Sequence, residues 1–287
     1  MLKYRLIFGT IMTVFFTAVV VFDGWLDGSL TASPIDDKPI KGTLLCILIA
    51  LLIIPAQFEL SKLAAAKNLK IFTPVCIAAS IFFATSWYWR QFVEMPLHLY
   101  LFFLSAFVLA ALLLYQRIYY GTSSVLANCG VSYLSIAYLG FLSSFLPAVR
   151  IDFGLWQLLM YVFVVKCADI GAYTVGSLYG RHKFSPKISP GKSWEGMAGA
   201  IVAAAAVAII FAVNFDIMSK WQAVVFGVCF AFIGQLADLA ESMMKRDAEQ
   251  KDASNSVPGF GGILDVIDSP LGAAPFAYLF FMLFCQK

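Results

Sequence analysis

Apolar residues run in long blocks from one end of the chain to the other, and each block is bounded by charges, Pro or Gly. A helix that crosses the hydrocarbon core of a bilayer needs about 17 to 25 such residues. The pattern predicts nine spans: Leu6–Phe22, Thr43–Phe58, Ile71–Trp89, Leu97–Tyr115, Val131–Val149, Leu155–Val175, Met197–Phe215, Trp221–Ala240 and Leu271–Cys285. The expected fold class is an all-α polytopic integral membrane protein. The first block follows Lys3 and Arg5 as a signal peptide would, but the sequence after it lacks a small-x-small cleavage pattern, so an uncleaved span is expected. Residues 1–150 are expected to hold about five N-terminal spans. Residues 151–287 are expected to form a catalytic membrane region of about four spans with two functional loops.

Composition supports this reading and narrows it. Of 287 residues, 61% are hydrophobic and 13% charged, against about half and a quarter in soluble domains. The net charge of +3 suggests no nucleic-acid-binding surface. Six cysteines lie in or beside apolar blocks without a CxxC pair, as small apolar residues do. All six tryptophans fall at predicted span edges, where interfacial anchoring accounts for them. Thirteen Lys and Arg flank the spans on the N-terminal side and six on the other, with Lys166 inside a span. That asymmetry puts the N-terminus in the cytoplasm and, with nine spans, the C-terminus outside. Lys62, Lys67 and Lys70 are one cluster of this kind and could also attract anionic membrane lipids.

Two cytoplasmic stretches differ from ordinary connectors. An acid inside an apolar helix costs roughly 2.5 to 3.5 kcal/mol and therefore faces protein, water or an ion. Asp169 and Asp238 are such acids; Lys166, three residues before Asp169, offers it a plain ion pair. Asp238, Ser242 and Lys245 are spaced four and then three apart, which lines them on one stripe of the eighth span as it leaves the membrane. Beyond it, Asp265 and Asp268 are three apart. On one helical turn both could meet Asp238 in a hard oxygen site suited to Mg²⁺. The bland alternative makes Asp268 the cap of a helix beginning near Ser269-Pro270. The intervening Pro258-Gly-Phe260-Gly261-Gly262 suits close approach to phosphate but also suits an ordinary connector. Gly191-Lys192-Ser193 is not a P-loop, because position 186 is Pro where that motif needs Gly. Lys192 can still neutralise phosphate as a point charge. His182 and His98 carry no signal beyond a solvated loop and a helix end.

The run Ser242-Met-Met-Lys245-Arg246-x4-Lys251-Asp252, followed by Pro-Gly-x-Gly-Gly-x-x-Asp265-x-x-Asp268, resembles the phosphatidate cytidylyltransferase (CDP-diacylglycerol synthase) family. So do Asp169-x-x-Ala-Tyr173 and Ser189-Pro-x-Lys192-Ser193-Trp-Glu195-Gly196, with Glu59-Leu60 a faint further echo. Three positions depart from the family pattern. Phe260 replaces the usual His, Val266 replaces the Arg after the first acid, and Ala253-Ser254 occupies the small-residue site. No role of that His or Arg is carried over.

The resemblance implies that CTP and phosphatidic acid give CDP-diacylglycerol and pyrophosphate at the cytoplasmic face of a bacterial inner membrane, in phospholipid biosynthesis, and that the protein is a homodimer. The expected metal ligands are Asp238, Asp265 and Asp268, holding Mg²⁺ with room for a second mono- or divalent cation. Lys245, Arg246, Lys251 and Asp252 are expected to be catalytic. Asp169, Tyr173, Ser189, Lys192, Ser193, Glu195, Ser242, Gly261 and Gly262 are expected to bind substrate. A lipid phosphate is already ionised at neutral pH, so alignment and charge neutralisation suffice without a general base. Two rivals differ in product or architecture. A CTP-dependent lipid kinase would release CDP, and a transporter would place its ionisable groups near the midplane of repeated halves.

Overall fold

The computed structural model describes residues 2–30, 37–254, 256, 257, 259 and 261–285, with side chains from Ile7 onward. The helices are α1 (Leu2–Leu26), α2 (Thr43–Ala66), α3 (Thr73–Ala84), α4 (Ser86–Trp89), α5 (Leu97–Tyr119) and α6 (Val125–Ile136). A π-helical turn (Ala137–Phe141) and a 3-10 turn (Leu142–Ser144) then lead into α7 (Phe145–Asp152). The C-terminal part comprises α8 (Leu155–Tyr179), α9 (Trp194–Phe215), α10 (Lys220–Asp247) and α11 (Ile263–Phe284). No strand forms among the described residues; isolated bridges pair Lys183 with Ser193 and Val257 with Gly261. The chain is an all-α polytopic membrane protein, as expected.

Among the described residues, eight stretches are long and apolar enough to cross a bilayer, with the run from α6 through α7 counted as one of 28 residues. The predicted span Ile71–Trp89 is the shorter one. Its helix α3 runs 12 residues and breaks at Thr85, whose hydroxyl donates to the Ile81 carbonyl at 2.7 Å, before α4 adds one turn. The last span starts at Ile263 rather than at Leu271. Hydropathy stops at the polar residues of its first two turns, yet those residues are helical because partners from other helices satisfy them.

Pro270 lies inside α11 and has no N–H, so the Val266 carbonyl four residues back loses its helical donor. Lys166 of α8 replaces that donor, with Nζ 2.7 Å from the Val266 oxygen. A second tie is the Tyr161 hydroxyl, which donates to the Pro270 carbonyl. Small residues set the spacing of the neighbouring helices. Ala200, Ala204, Ala208 and Ala212 form a buried stripe along α9. A Cβ on Gly171 of α8 would lie 2.5 Å from the Gly199 carbonyl oxygen of α9, so only glycine permits that approach. Both main apolar clusters draw on residues from either side of position 150. One joins Leu45 and Ile53 to Val164 and Phe281, and the other joins Leu60 and Leu139 to Leu264 and Leu271.

The two ends of the bundle differ. At one end, Arg150 is fully buried between Asp23 and Asp27, with side-chain N–O separations of 3.3 and 2.7 Å. Asp23 also accepts from the Leu44 N–H at 2.8 Å, which anchors the start of α2 to α1. Arg150 is one of the six cations that flank the spans on the far side, and it is neutralised inside the bundle by Asp23 of α1 and by Asp27 just beyond that helix. The other end gathers the C-terminal ends of α2, α8 and α10 with the N-terminal ends of α9 and α11.

Candidate active site

Helix α10 begins with a capping box in which Ser219 and Gln222 satisfy each other's backbone N–H groups. It ends with Lys245 and Arg246 in its last turn, where cations suit the helix dipole. Three of its side chains, Asp238, Glu241 and Lys245, face the N-terminal turns of α11. Carboxylate oxygens of Asp238, Glu241 and Asp268 all lie within 4.8 Å of one another. Glu241 and Asp268 are buried and Asp238 is half-buried. Glu241 meets the Lys245 ammonium through Oε2, and its Oε1 has no hydrogen-bond partner. Three converging hard oxygen donors, one with open lone pairs, are the ligand set that a small divalent cation takes.

Lysines bracket the acids. Lys245, itself buried, forms ion pairs with both Glu241 and Asp265. Lys192 reaches Asp238 Oδ2 at 2.7 Å and donates to the Gln235 carbonyl at 2.8 Å. The Gln235 amide in turn donates to Asp169 at 3.1 Å. Asp169 also pairs with Lys166 at 3.7 Å, the internal ion pair that the spacing allowed. Ser242 donates to Asp238 Oδ1 at 3.4 Å, so the 238/242 stripe forms as expected. Asp268 Oδ1 accepts from the N–H and hydroxyl of Ser269, at 2.6 and 3.3 Å.

Asp265 is placed differently from the expected trio. Its Oδ2 accepts from the N–H groups of Gly262 and Ala253 at 2.7 and 3.0 Å, and its Oδ1 faces Lys245. The capping role weighed for Asp268 therefore falls on Asp265, because α11 starts at Ile263 and Asp265 occupies its first turn. Glu241 stands in the acidic cluster instead. The signal that could have found it was its spacing, three after Asp238 and four before Lys245.

The loops bring the remaining expected residues to the same end, several of them through structural bonds. Ser193 caps α9 by accepting the Gly196 N–H at 3.2 Å. Glu195 holds the backbone N–H groups of Arg181 and His182 and meets the His182 ring at 2.6 Å. The Ser189 carbonyl accepts from the Lys192 N–H at 3.1 Å, closing the turn that aims Lys192. Arg246 bonds the Ile188 carbonyl at 3.0 Å and thereby joins the two loops. Tyr173 is exposed on α8, Lys251 and Asp252 are exposed on the last loop, and Gly261 is half-buried there with φ +106°. Phe260 and Pro258 lie outside the described residues.

Glu59 of α2 is central to this arrangement. Buried, it accepts from the N–H groups of Ile263 and Leu264 at 3.0 and 2.8 Å and from the Ser254 hydroxyl at 2.6 Å. It thus completes the cap of α11, taking the two N–H groups next to the Gly262 N–H that Asp265 holds. A Cβ at position 262 would run into the Glu59 carboxylate, so Gly262 is required by this contact.

The sequence model of the cytidylyltransferase family matches residues 38–284. The chain belongs to that family. Among its cytidylyltransferase relatives is the phosphatidate cytidylyltransferase of Haemophilus influenzae, 44% identical over 131 residues, which are 43% of this chain and 46% of that one. The Mycobacterium tuberculosis (strain ATCC 25618 / H37Rv) protein of the same name is 40% identical over 124 residues, 43% of this chain and 38% of that one. The Bacillus subtilis (strain 168) protein, also so named, is 38% identical over 154 residues, 53% of this chain and 57% of that one. These matches span about half the length of the relatives.

Proposed function

We propose that this cytidylyltransferase condenses CTP with phosphatidic acid to give CDP-diacylglycerol and pyrophosphate, at the cytoplasmic face of a bacterial inner membrane. The observation that carries the proposal is the convergence of Asp238, Glu241 and Asp268 between two lysines at one end of a membrane bundle. The positive-inside asymmetry supports the side. The names of the relatives support the substrates.

Asp238, Glu241 and Asp268 would hold Mg²⁺, with Asp265 and Asp169 as further acids at its margin. Mg²⁺ supplies charge neutralisation on triphosphate oxygens. The lipid phosphate oxygen attacks the α-phosphorus of CTP. A new phosphorus–oxygen bond forms, the α–β phosphoanhydride bond breaks, and its electron pair leaves on pyrophosphate. No proton need be removed from the attacking monoester, so the protein's work is alignment and electrostatics. Lys192 sits where it can exchange Asp238 for a phosphate oxygen. Lys245 keeps Glu241 and Asp265 fixed and offsets their charge, while Arg246 and Lys251 face the departing pyrophosphate.

Purified protein given Mg²⁺, CTP and phosphatidic acid is expected to form CDP-diacylglycerol and release pyrophosphate. Asp268→Asn and Glu241→Gln are expected to abolish turnover while the protein stays folded. Release of CDP would identify a kinase instead, and full turnover by both variants would remove the metal assignment.

A further inference from the structure

One group near the acids is used by none of the steps above. Tyr138 sits in the π-helical turn between α6 and the 3-10 turn. Its hydroxyl is buried and has no hydrogen-bond partner. Its ring packs against the buried cluster that contains Leu264 and Leu271, the residues of α11 on either side of Asp268. A buried hydroxyl without a partner carries a penalty of about 1 to 3 kcal/mol. A π-turn widens the helix by one residue and re-aims a side chain at a frequent cost in regularity, often at functional sites.

The turn is also held rigidly. A Cβ at Gly140 would lie 2.7 Å from the Ser80 Cα of α3, so the backbone there is packed directly on its neighbour. Gln57 of α2 donates to Ser135 at 3.0 Å, one turn before Tyr138, and fixes the face of α6 that precedes it. A phenol held this way against the helix that carries Asp268 would be placed to donate to an oxygen bound by a cation at the acids.

We propose that Tyr138 belongs to the binding site, its hydroxyl donating a hydrogen bond to an oxygen ligand of the cation held by Asp238, Glu241 and Asp268. The ligand is a metal-bound water or a phosphate oxygen of nucleotide or lipid. This rests on the reading of the acids as a metal site, and adds a positioning residue from the N-terminal half, outside the motifs of the two cytoplasmic stretches.

The test compares full-length Tyr138→Phe with the unaltered protein in detergent, by thermal unfolding over titrations of MgCl₂ alone, MgCl₂ with CTP, and MgCl₂ with phosphatidic acid. Without ligands, Tyr138→Phe is expected to unfold at the same temperature or higher, because an unpartnered hydroxyl is removed. The half-saturating concentration is expected to rise about tenfold in at least one arm, or about 1.4 kcal/mol. A rise with MgCl₂ alone identifies water, and a rise only with CTP or only with lipid identifies that phosphate. Unchanged half-saturation in all three arms overturns the proposal, as does a lower unfolding temperature without ligand or the absence of any ligand stabilisation of the unaltered protein. If the unaltered protein makes no CDP-diacylglycerol yet Tyr138→Phe still weakens Mg²⁺ stabilisation, the functional reading fails and Tyr138 stands. If turnover is normal and Tyr138→Phe matches in every arm, the reverse holds.

Discussion

Glu59→Gln isolates the contact that ties the N-terminal half of the chain to the acids. The carboxylate accepts three hydrogen bonds, from Ile263 N–H, Leu264 N–H and the Ser254 hydroxyl. The amide keeps one acceptor oxygen and turns an NH₂ group toward a donor, so at least one buried N–H loses its partner. An orphaned buried donor costs about 1 to 3 kcal/mol, and bonds to a charged acceptor are worth about 1.5 to 3 kcal/mol each. A net loss of about 2 to 3 kcal/mol is expected, concentrated at the start of α11. At about 1.5 Å per residue, Asp268 lies about 7.5 Å along the axis from Ile263, so fraying of the first turn displaces Asp265 first and loosens Asp268 next. Hydrogen exchange at residues 262–264 should therefore accelerate by about 30-fold or more, the equivalent of 2 kcal/mol. Turnover should fall at least tenfold at saturating CTP and lipid. Gly262→Ala should weaken the same contact from the other side, and the double variant should be less than additive with the singles. Glu59→Gln with unaltered exchange and turnover would refute the claim that α2 caps α11.

Three further outcomes follow from contacts elsewhere. Lys245→Met leaves Glu241 and Asp265 without their shared cation; a loss of about 3 to 5 kcal/mol is expected in unfolding measurements, partly restored by adding Asp265→Asn. Arg150→Met strands Asp23 and Asp27 in the same way at the opposite end. It should lower stability by a similar amount, yet leave the CTP half-saturation of the surviving folded protein unchanged. Ser193→Ala removes the cap of α9 and should cost about 1 kcal/mol by thermal unfolding, while Ser193→Asp, which keeps an acceptor, should retain most of that stability.

Long apolar blocks are enough to determine the class of fold, because in lipid a backbone can satisfy its N–H and C=O groups only within a helix or a closed barrel. Local spacing likewise reveals Asp238 with Ser242, and Lys166 with Asp169, since each pair lies on one face of one helix. What spacing cannot show is the partner from another helix. Asp265 and Asp268 look equivalent in sequence, but the start of α11 at Ile263 turns one into a cap and the other into a member of the acidic cluster. Glu241, Glu59 and Arg150 acquire their meaning only when distant helices supply a lysine, two N–H groups or two aspartates. A buried charge persists where tertiary structure brings its complement within bonding distance, and that distance is set by the packing of helices, down to the glycines at 171, 199 and 262.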